Sequence, residues 1–295
     1  MAPVVLLAGG TGGAKLARGL LDELGPDLVV IANTGDDLEI YGAYVSPDPD
    51  LVTFWLADAI DERGWGLEGD TFAAMDQLRA LGEDVWFNLG DRDLAIGLHR
   101  AQRLANGARL TETIEDLRRA FGVPARVLVP SDAPLRTHVK TGGRWLEFQQ
   151  FMIRSRGPIE DVEFRGSATP TPEALEALRT ARAIVIGPSN PVISIDPILA
   201  VLREHVREAD APVVAVSPLV HGQVLKGPTA EFIAWAGRTL DSDGIAAHYA
   251  GLIDGLVADQ RAERMPTLET EVDLSHAEAR RQVAREVLEF AAALA

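Results

Sequence analysis

Apolar residues in this chain fall in short blocks. Each block runs into a turn rich in glycine or aspartate, and a stretch with helical spacing follows. The first block, 4–8, meets Gly9, Gly10, Gly12 and Gly13. Leu16, Leu20, Leu21 and Leu24 then recur every three or four residues, which predicts a helix ended by Gly25-Pro26. A second apolar block, 28–32, ends in Asn33-Thr34-Gly35-Asp36-Asp37. Strand, glycine loop, helix, strand and polar turn make a βαβ unit.

The alternation returns later in the chain. Block 183–186 runs into Gly187-Pro188-Ser189-Asn190-Pro191, and block 212–216 into Ser217-Pro218-Leu219-Val220-His221-Gly222. Helices are predicted at 51–60, over most of 65–81, and at 95–106, 111–121, 172–180, 198–207, 229–240, 244–256 and 274–294. Residues 85–89 read as a strand. Between 126 and 150 the pattern changes to antiparallel strands, with Gly142-Gly143 as a hairpin turn. The expected fold class is α/β: a Rossmann-like, doubly wound, mostly parallel sheet. Residues 1–295 read as a single large domain, with a mainly helical insertion at about 51–122 and an antiparallel β extension at about 125–166.

Composition narrows the function. Forty-four acidic against 28 basic residues give a net charge of −16, which repels a nucleic-acid backbone or an anionic membrane. The absence of cysteine excludes disulfides and thiolate metal sites. The opening residues carry no basic region with a cleavage site, and block 4–8 is far too short to span a bilayer, so a cytoplasmic protein is expected.

The turns carry the candidate chemistry. Gly9-Gly10-Thr11-Gly12-Gly13-Ala14-Lys15 lacks the GxxxxGK[ST] phosphate-loop pattern, and Lys15 stands where a dinucleotide fingerprint needs its third glycine. Asn33 stands where a ribose-binding acid would follow the second strand. Glycines still let backbone N–H groups approach an anion at a helix N-terminus. Asp36 and Asp37 fit either a simple Asx turn or a pair of ligands. In Ser46-Pro47-Asp48-Pro49-Asp50, Asp50 fits either a helix cap or a second carboxylate for a divalent cation. A further polar turn offers Asn88, Asp91, Arg92 and Asp93.

The joint order of these turns, with the later segment 216–228, resembles the 2-phospho-L-lactate transferase family of coenzyme F-420 biosynthesis over nearly the whole chain. The resemblance implies a transferase. A phospholactyl, phosphoenolpyruvyl or phosphoglyceryl group would pass from a guanosine diphosphate ester to the ribityl hydroxyl of the deazaflavin FO. GMP would be released and F-420-0 or its dehydro form produced. It also implies a need for Mg2+. On that reading Asp36 and Asp50 hold the metal, and Asp36, Asp50 and Asp91 are the catalytic set. Thr34, Asp37, Asn88 and Arg92 meet FO. Gly10, Thr11, Gly12, Gly13, Lys15, Ser189, Asn190 and Lys226 hold nucleotide and phosphate. Small-molecule substrates are the expected partners, and the helical C-terminus allows a homodimer. The alternative is a nucleotide-sugar-binding regulatory protein on a related fold, against which three acidic turns at one sheet edge argue.

Overall fold

The computed structural model describes residues 2–225 and 227–295. Seven strands form the central sheet: β1 (Val4–Ala8), β2 (Leu28–Ala32), β3 (Arg126–Leu128), β4 (Ala183–Ile186), β5 (Val213–Val216), β6 (Gly255–Ala258) and β7 (Thr267–Glu269). Their spatial order is β7-β6-β5-β4-β1-β2-β3, and every neighbouring pair is parallel. The order reverses between β1 and β4, the position where doubly wound sheets open a crevice at their carboxyl ends. The fold class read from the sequence therefore holds, with no antiparallel member in the main sheet.

The strands are buried on both faces, which is why they read as continuous apolar runs. Successive residues feed opposite cores. Leu6 and Val30 join helix α1 (Gly10–Leu24) and the C-terminal helix (Ala277–Leu294) on one face. Val5, Leu7 and Ile31 pack with helices Pro172–Thr180 and Asp196–Arg207 on the other. Among the described residues no helix is long and apolar enough to cross a membrane.

Two insertions sit outside this frame. One contains the hairpin Leu38–Ile40/Ala43–Val45, then α2 (Pro47–Leu56), α3 (Ala73–Ala80), α4 (Asp91–Ala105) and a helix at Leu110–Ala120. The other is a three-stranded antiparallel sheet with Leu135–Thr141 at its centre, between Arg144–Glu147 and Asp161–Gly166.

Several expectations are corrected. Residues 85–89 form no strand; Trp86, Phe87 and Leu89 instead pack against the 38–45 hairpin and α3. The helix expected over 65–81 shrinks to Ala73–Ala80, because Gly64, Gly66 and Gly69 all take positive φ and break the segment before it. Strand 126–128 belongs to the main sheet rather than the antiparallel extension. The helix expected over 244–256 ends at His248, and the following apolar run becomes β6. Short apolar runs do not distinguish strand from helix by periodicity.

Candidate active site

The glycine loop leaves β1 and enters α1 directly. Gly9 is extended and helix α1 starts at Gly10, whose φ of +59° suits glycine. Gly12 is required for a different reason. A Cβ there would lie 2.0 Å from the carbonyl oxygen of Pro188, so the 187–191 turn packs onto the loop backbone. Ser189 ties the two turns together: its hydroxyl accepts from Gly13 N at 3.1 Å and donates to the Gly9 carbonyl. Asn190 caps the following turn, with Oδ1 accepting from Val192 N at 3.0 Å. Its Nδ2 is buried without a partner among the described residues.

Turn 33–37 follows β2. Asn33 N donates to the Ala8 carbonyl, which locks the turn beside the glycine loop. The Asn33 Nδ2 donates to Asp48 Oδ2 at 2.9 Å, and Gly10 N donates to Asp48 Oδ1 at 2.7 Å. Asp48 therefore joins the glycine loop to the acidic turn from the first turn of α2. Asp36 lies beside it, buried, with Oδ1 lacking any partner among the described residues.

The electrostatics single out this pair. Burial, reinforced by the charges of Asp48 and Asp37, holds the Asp36 carboxyl well above its usual pKa. Burial pushes Asp48 up to about 6, against the opposing hydrogen bonds from Asn33 and Gly10 N. Two desolvated carboxylates side by side, one with an unused oxygen, form a site that a cation would relieve.

A cleft of about 390 Å3 opens at this edge of the sheet. Gly10, Thr11, Gly12, Lys15, Asp36, Ser189 and Asn190 line it, so most of the sequence-predicted nucleotide set and one predicted carboxylate converge. Gly13 stands just behind, through its bond to Ser189. Trp65, Phe148, Met152 and Leu225 add apolar lining. Lys226 lies outside the described residues.

Other predicted residues are placed elsewhere. The Asp50 carboxylate does not meet Asp36: it is held by Arg100, whose Nη1 lies 3.1 Å from Asp50 Oδ2 and whose side chain is 1% exposed. Helix α2 begins at Pro47, three residues before Asp50, so Asp50 is not its cap. Positions 48 and 50 then differ by about 200° around the helix, and only Asp48 faces the glycine loop. Asp37 is enclosed: Ser46 Oγ donates to its Oδ1 at 2.7 Å and Tyr44 OH to its Oδ2 at 3.1 Å. Thr34 is buried, and its carbonyl accepts from Arg136.

The 88–93 turn does not line the cleft. Asp91 caps α3, accepting from Ala73 N at 3.0 Å and Ala74 N at 2.9 Å, and these bonds with that of Thr71 hold its pKa low. Asn88 accepts from Arg79, and Arg92 donates to the Glu68 carbonyl. The residues that sequence reasoning missed are Asp48, the apolar lining and Arg136. Asp48 carried a signal, since Pro47 at a first helical position implies a helix start two residues before Pro49.

A family model described as 2-phospho-L-lactate transferase CofD matches residues 4–291. The chain belongs to this family. Among its relatives, a 2-phospho-L-lactate transferase of Methanosarcina mazei is 37% identical, over 88% of this chain and 87% of that protein. A phosphoenolpyruvate transferase of Kitasatospora aureofaciens is 38% identical, over 88% of this chain and 86% of that protein. The 2-phospho-L-lactate transferase of Methanocaldococcus jannaschii is 34% identical over 99% of each. A crystal structure of a Bacillus halodurans protein superposes with a TM-score of 0.60 at 19% identity, covering 97% of this chain and 99% of that one, and shares the fold. This member of the CofD family is thus an enzyme, a transferase of coenzyme F-420 biosynthesis.

A divalent cation can be weighed against the residues present. Among the described residues no group of three or more His, Asp or Glu side chains is arranged to hold a metal ion. Mg2+ does not need one, since it commonly takes one or two carboxylates and completes its shell with waters and substrate phosphate. Asp36, with its unpartnered buried oxygen, and Asp48 beside it fit that pattern.

Proposed function

We propose that this CofD-family enzyme transfers a phospholactyl-type group from a guanosine diphosphate ester to the ribityl hydroxyl of FO. The observation that carries this reading is the convergence of the glycine loop, Lys15, Ser189, Asn190 and Asp36 in one cleft that also has apolar lining. The N–H groups of Thr11 and Gly12 and the side chain of Lys15 suit the diphosphate. The unpartnered Nδ2 of Asn190 suits a carbonyl or phosphate oxygen of the guanosyl half. The apolar lining of Trp65, Phe148 and Met152 suits the deazaflavin ring.

Phosphoryl transfer asks the protein mainly for positioning and charge neutralisation. The FO hydroxyl oxygen bonds to the phosphorus that carries the three-carbon acid. The bond from that phosphorus to the GMP phosphate oxygen breaks, and GMP leaves. Asp36, which lines the cleft, takes the hydroxyl proton. Asp36 and Asp48 would hold Mg2+, which when bound neutralises phosphate charge. Asp48, anchored through both oxygens, fixes the distance between the acidic turn and the phosphate loop.

Relatives of nearly equal identity are named for two different acids, so the donor is tested directly. Purified protein is incubated with FO, Mg2+ and the lactyl, enolpyruvyl or glyceryl donor, and products are resolved by mass spectrometry. The reading predicts GMP release dependent on FO together with F-420-0 or its dehydro form. Nucleotide binding without FO-dependent turnover for all three donors would overturn it and favour a binding role.

A further inference from the structure

Residues 136 and 137, on the central strand of the antiparallel insertion, grip the acidic turn from outside the sheet. Arg136 Nη1 donates to the Thr34 carbonyl at 3.2 Å and lies 3.9 Å from Asp37 Oδ2. Its Nη2 donates to Tyr44 OH at 2.7 Å, and Tyr44 OH in turn donates to Asp37. Thr137 N donates to the Gly35 carbonyl at 2.8 Å. The turn is therefore held immediately before Asp36, at Thr34 and Gly35, and immediately after it, at Asp37. Asp36 itself lines the cleft, and its buried Oδ1 has no hydrogen-bond partner among the described residues.

We infer that Arg136 is a positioning residue: by bridging the Thr34 carbonyl and the Tyr44 hydroxyl, which in turn holds the Asp37 carboxylate, it fixes the turn that presents Asp36 to a divalent cation. The inference rests on the reading of Asp36 as the cation-holding carboxylate. Arg136 touches neither the loop that holds phosphate nor the cleft lining, so it acts through the turn alone. A planar guanidinium is suited to this bridge, because its forked donors reach two acceptors at fixed spacing. An ammonium offers a point charge to one of them. Partners of this kind, one step removed from a metal ligand, typically alter metal affinity 10–100-fold when removed.

The test measures cation binding without turnover. Mn2+ is titrated into the full-length protein, unbound Mn2+ is followed by electron paramagnetic resonance, and Mg2+ is added as competitor. Wild type, Asp36→Asn, Arg136→Ala, Arg136→Lys and Arg136→Gln are compared, with far-UV circular dichroism to confirm folding. Arg136→Ala should bind Mn2+ about 10–100-fold more weakly. Arg136→Lys should fall between it and wild type, and millimolar guanidinium ion should restore Arg136→Ala but not Asp36→Asn. Binding by Arg136→Ala within about threefold of wild type, while Asp36→Asn loses it, overturns the inference alone. Wild-type binding by Asp36→Asn overturns the reading of Asp36 and the inference with it. Should Arg136→Ala fail to fold, Arg136→Lys and Arg136→Gln decide in the same terms, and wild-type affinity in both refutes the role.

Discussion

Replacing Asp48 by Asn should make the protein more stable at pH 8 and less responsive to Mg2+. Burial holds the Asp48 carboxyl at about 6 in the native state against an ordinary value of 3.8. A displacement of about two units at roughly 1.4 kcal/mol each comes to about 3 kcal/mol of cost for ionising it in place. The sign follows from proton counts. Between pH 4 and 6 the native state holds a proton that the unfolded chain has released, so stability falls as pH rises through that window. Below the window the contribution is fully favourable; above it the whole cost is present. An asparagine never ionises, so this slope disappears. The substitution also sets one amide nitrogen against that of Asn33, whose Nδ2 now donates to Asp48, at a loss of about 1 kcal/mol. At pH 4 the variant should then be slightly less stable than wild type, and at pH 8 more stable by about 2 kcal/mol. In melting temperature that difference is a rise of about 3 °C. Thermal denaturation at both pH values, with and without Mg2+, checks it. A variant less stable than wild type at both pH values, by the same amount, would refute the argument that Asp48 is a strained, desolvated carboxylate. Retained Mg2+-dependent stabilisation would refute its place beside the cation.

Four further outcomes follow from the same geometry. Asp36→Asn should fold and lose turnover by three orders of magnitude or more, measured as GMP release. Asp91→Asn should leave turnover within about threefold of wild type, because the carboxylate caps α3 and stands away from the cleft. Arg100→Leu should destabilise the fold by about 3–5 kcal/mol in denaturant titrations, since it strands Asp50 without its counter-charge. Gly12→Ala should abolish nucleotide binding by calorimetry, because its Cβ would meet the Pro188 carbonyl at 2.0 Å.

The main sheet was legible because its strands are apolar on both faces and end in turns of unusual composition. The pairing of Ser189 with the glycine loop was legible only as chemistry in common, since nothing in the chain specifies a contact across 176 residues. The choice between Asp48 and Asp50 turned on where α2 begins. A helix start displaced by three or four residues rotates the inward face, and element boundaries are the weakest part of any sequence reading. The 88–93 turn misled for a related reason. Its aspartates, asparagine and arginine have the composition of a ligand site, but Asp91 and Asn88 spend their hydrogen bonds on α3 and its Arg79. Composition cannot show where a hydrogen bond is already used. β6 was missed because it is four residues long and follows another apolar stretch, and β7 because only Leu268 of its three residues is apolar.

The partnership of β1 with both β2 and β4 bears on how the chain matures during synthesis. β1 and β2 are separated by one helix and can pair as soon as residue 32 is clear of the ribosome. The other edge of β1 waits for β4, which begins at Ala183. For most of translation, the N-terminal unit therefore carries an unpaired apolar strand edge and a glycine loop without Ser189 or the 187–191 turn against it. Such an edge invites pairing with other chains. The acidic 33–37 turn and the charges of the intervening helices are then its nearest protection, and a nascent chain arrested before β4 should be far more prone to aggregate than one arrested after it.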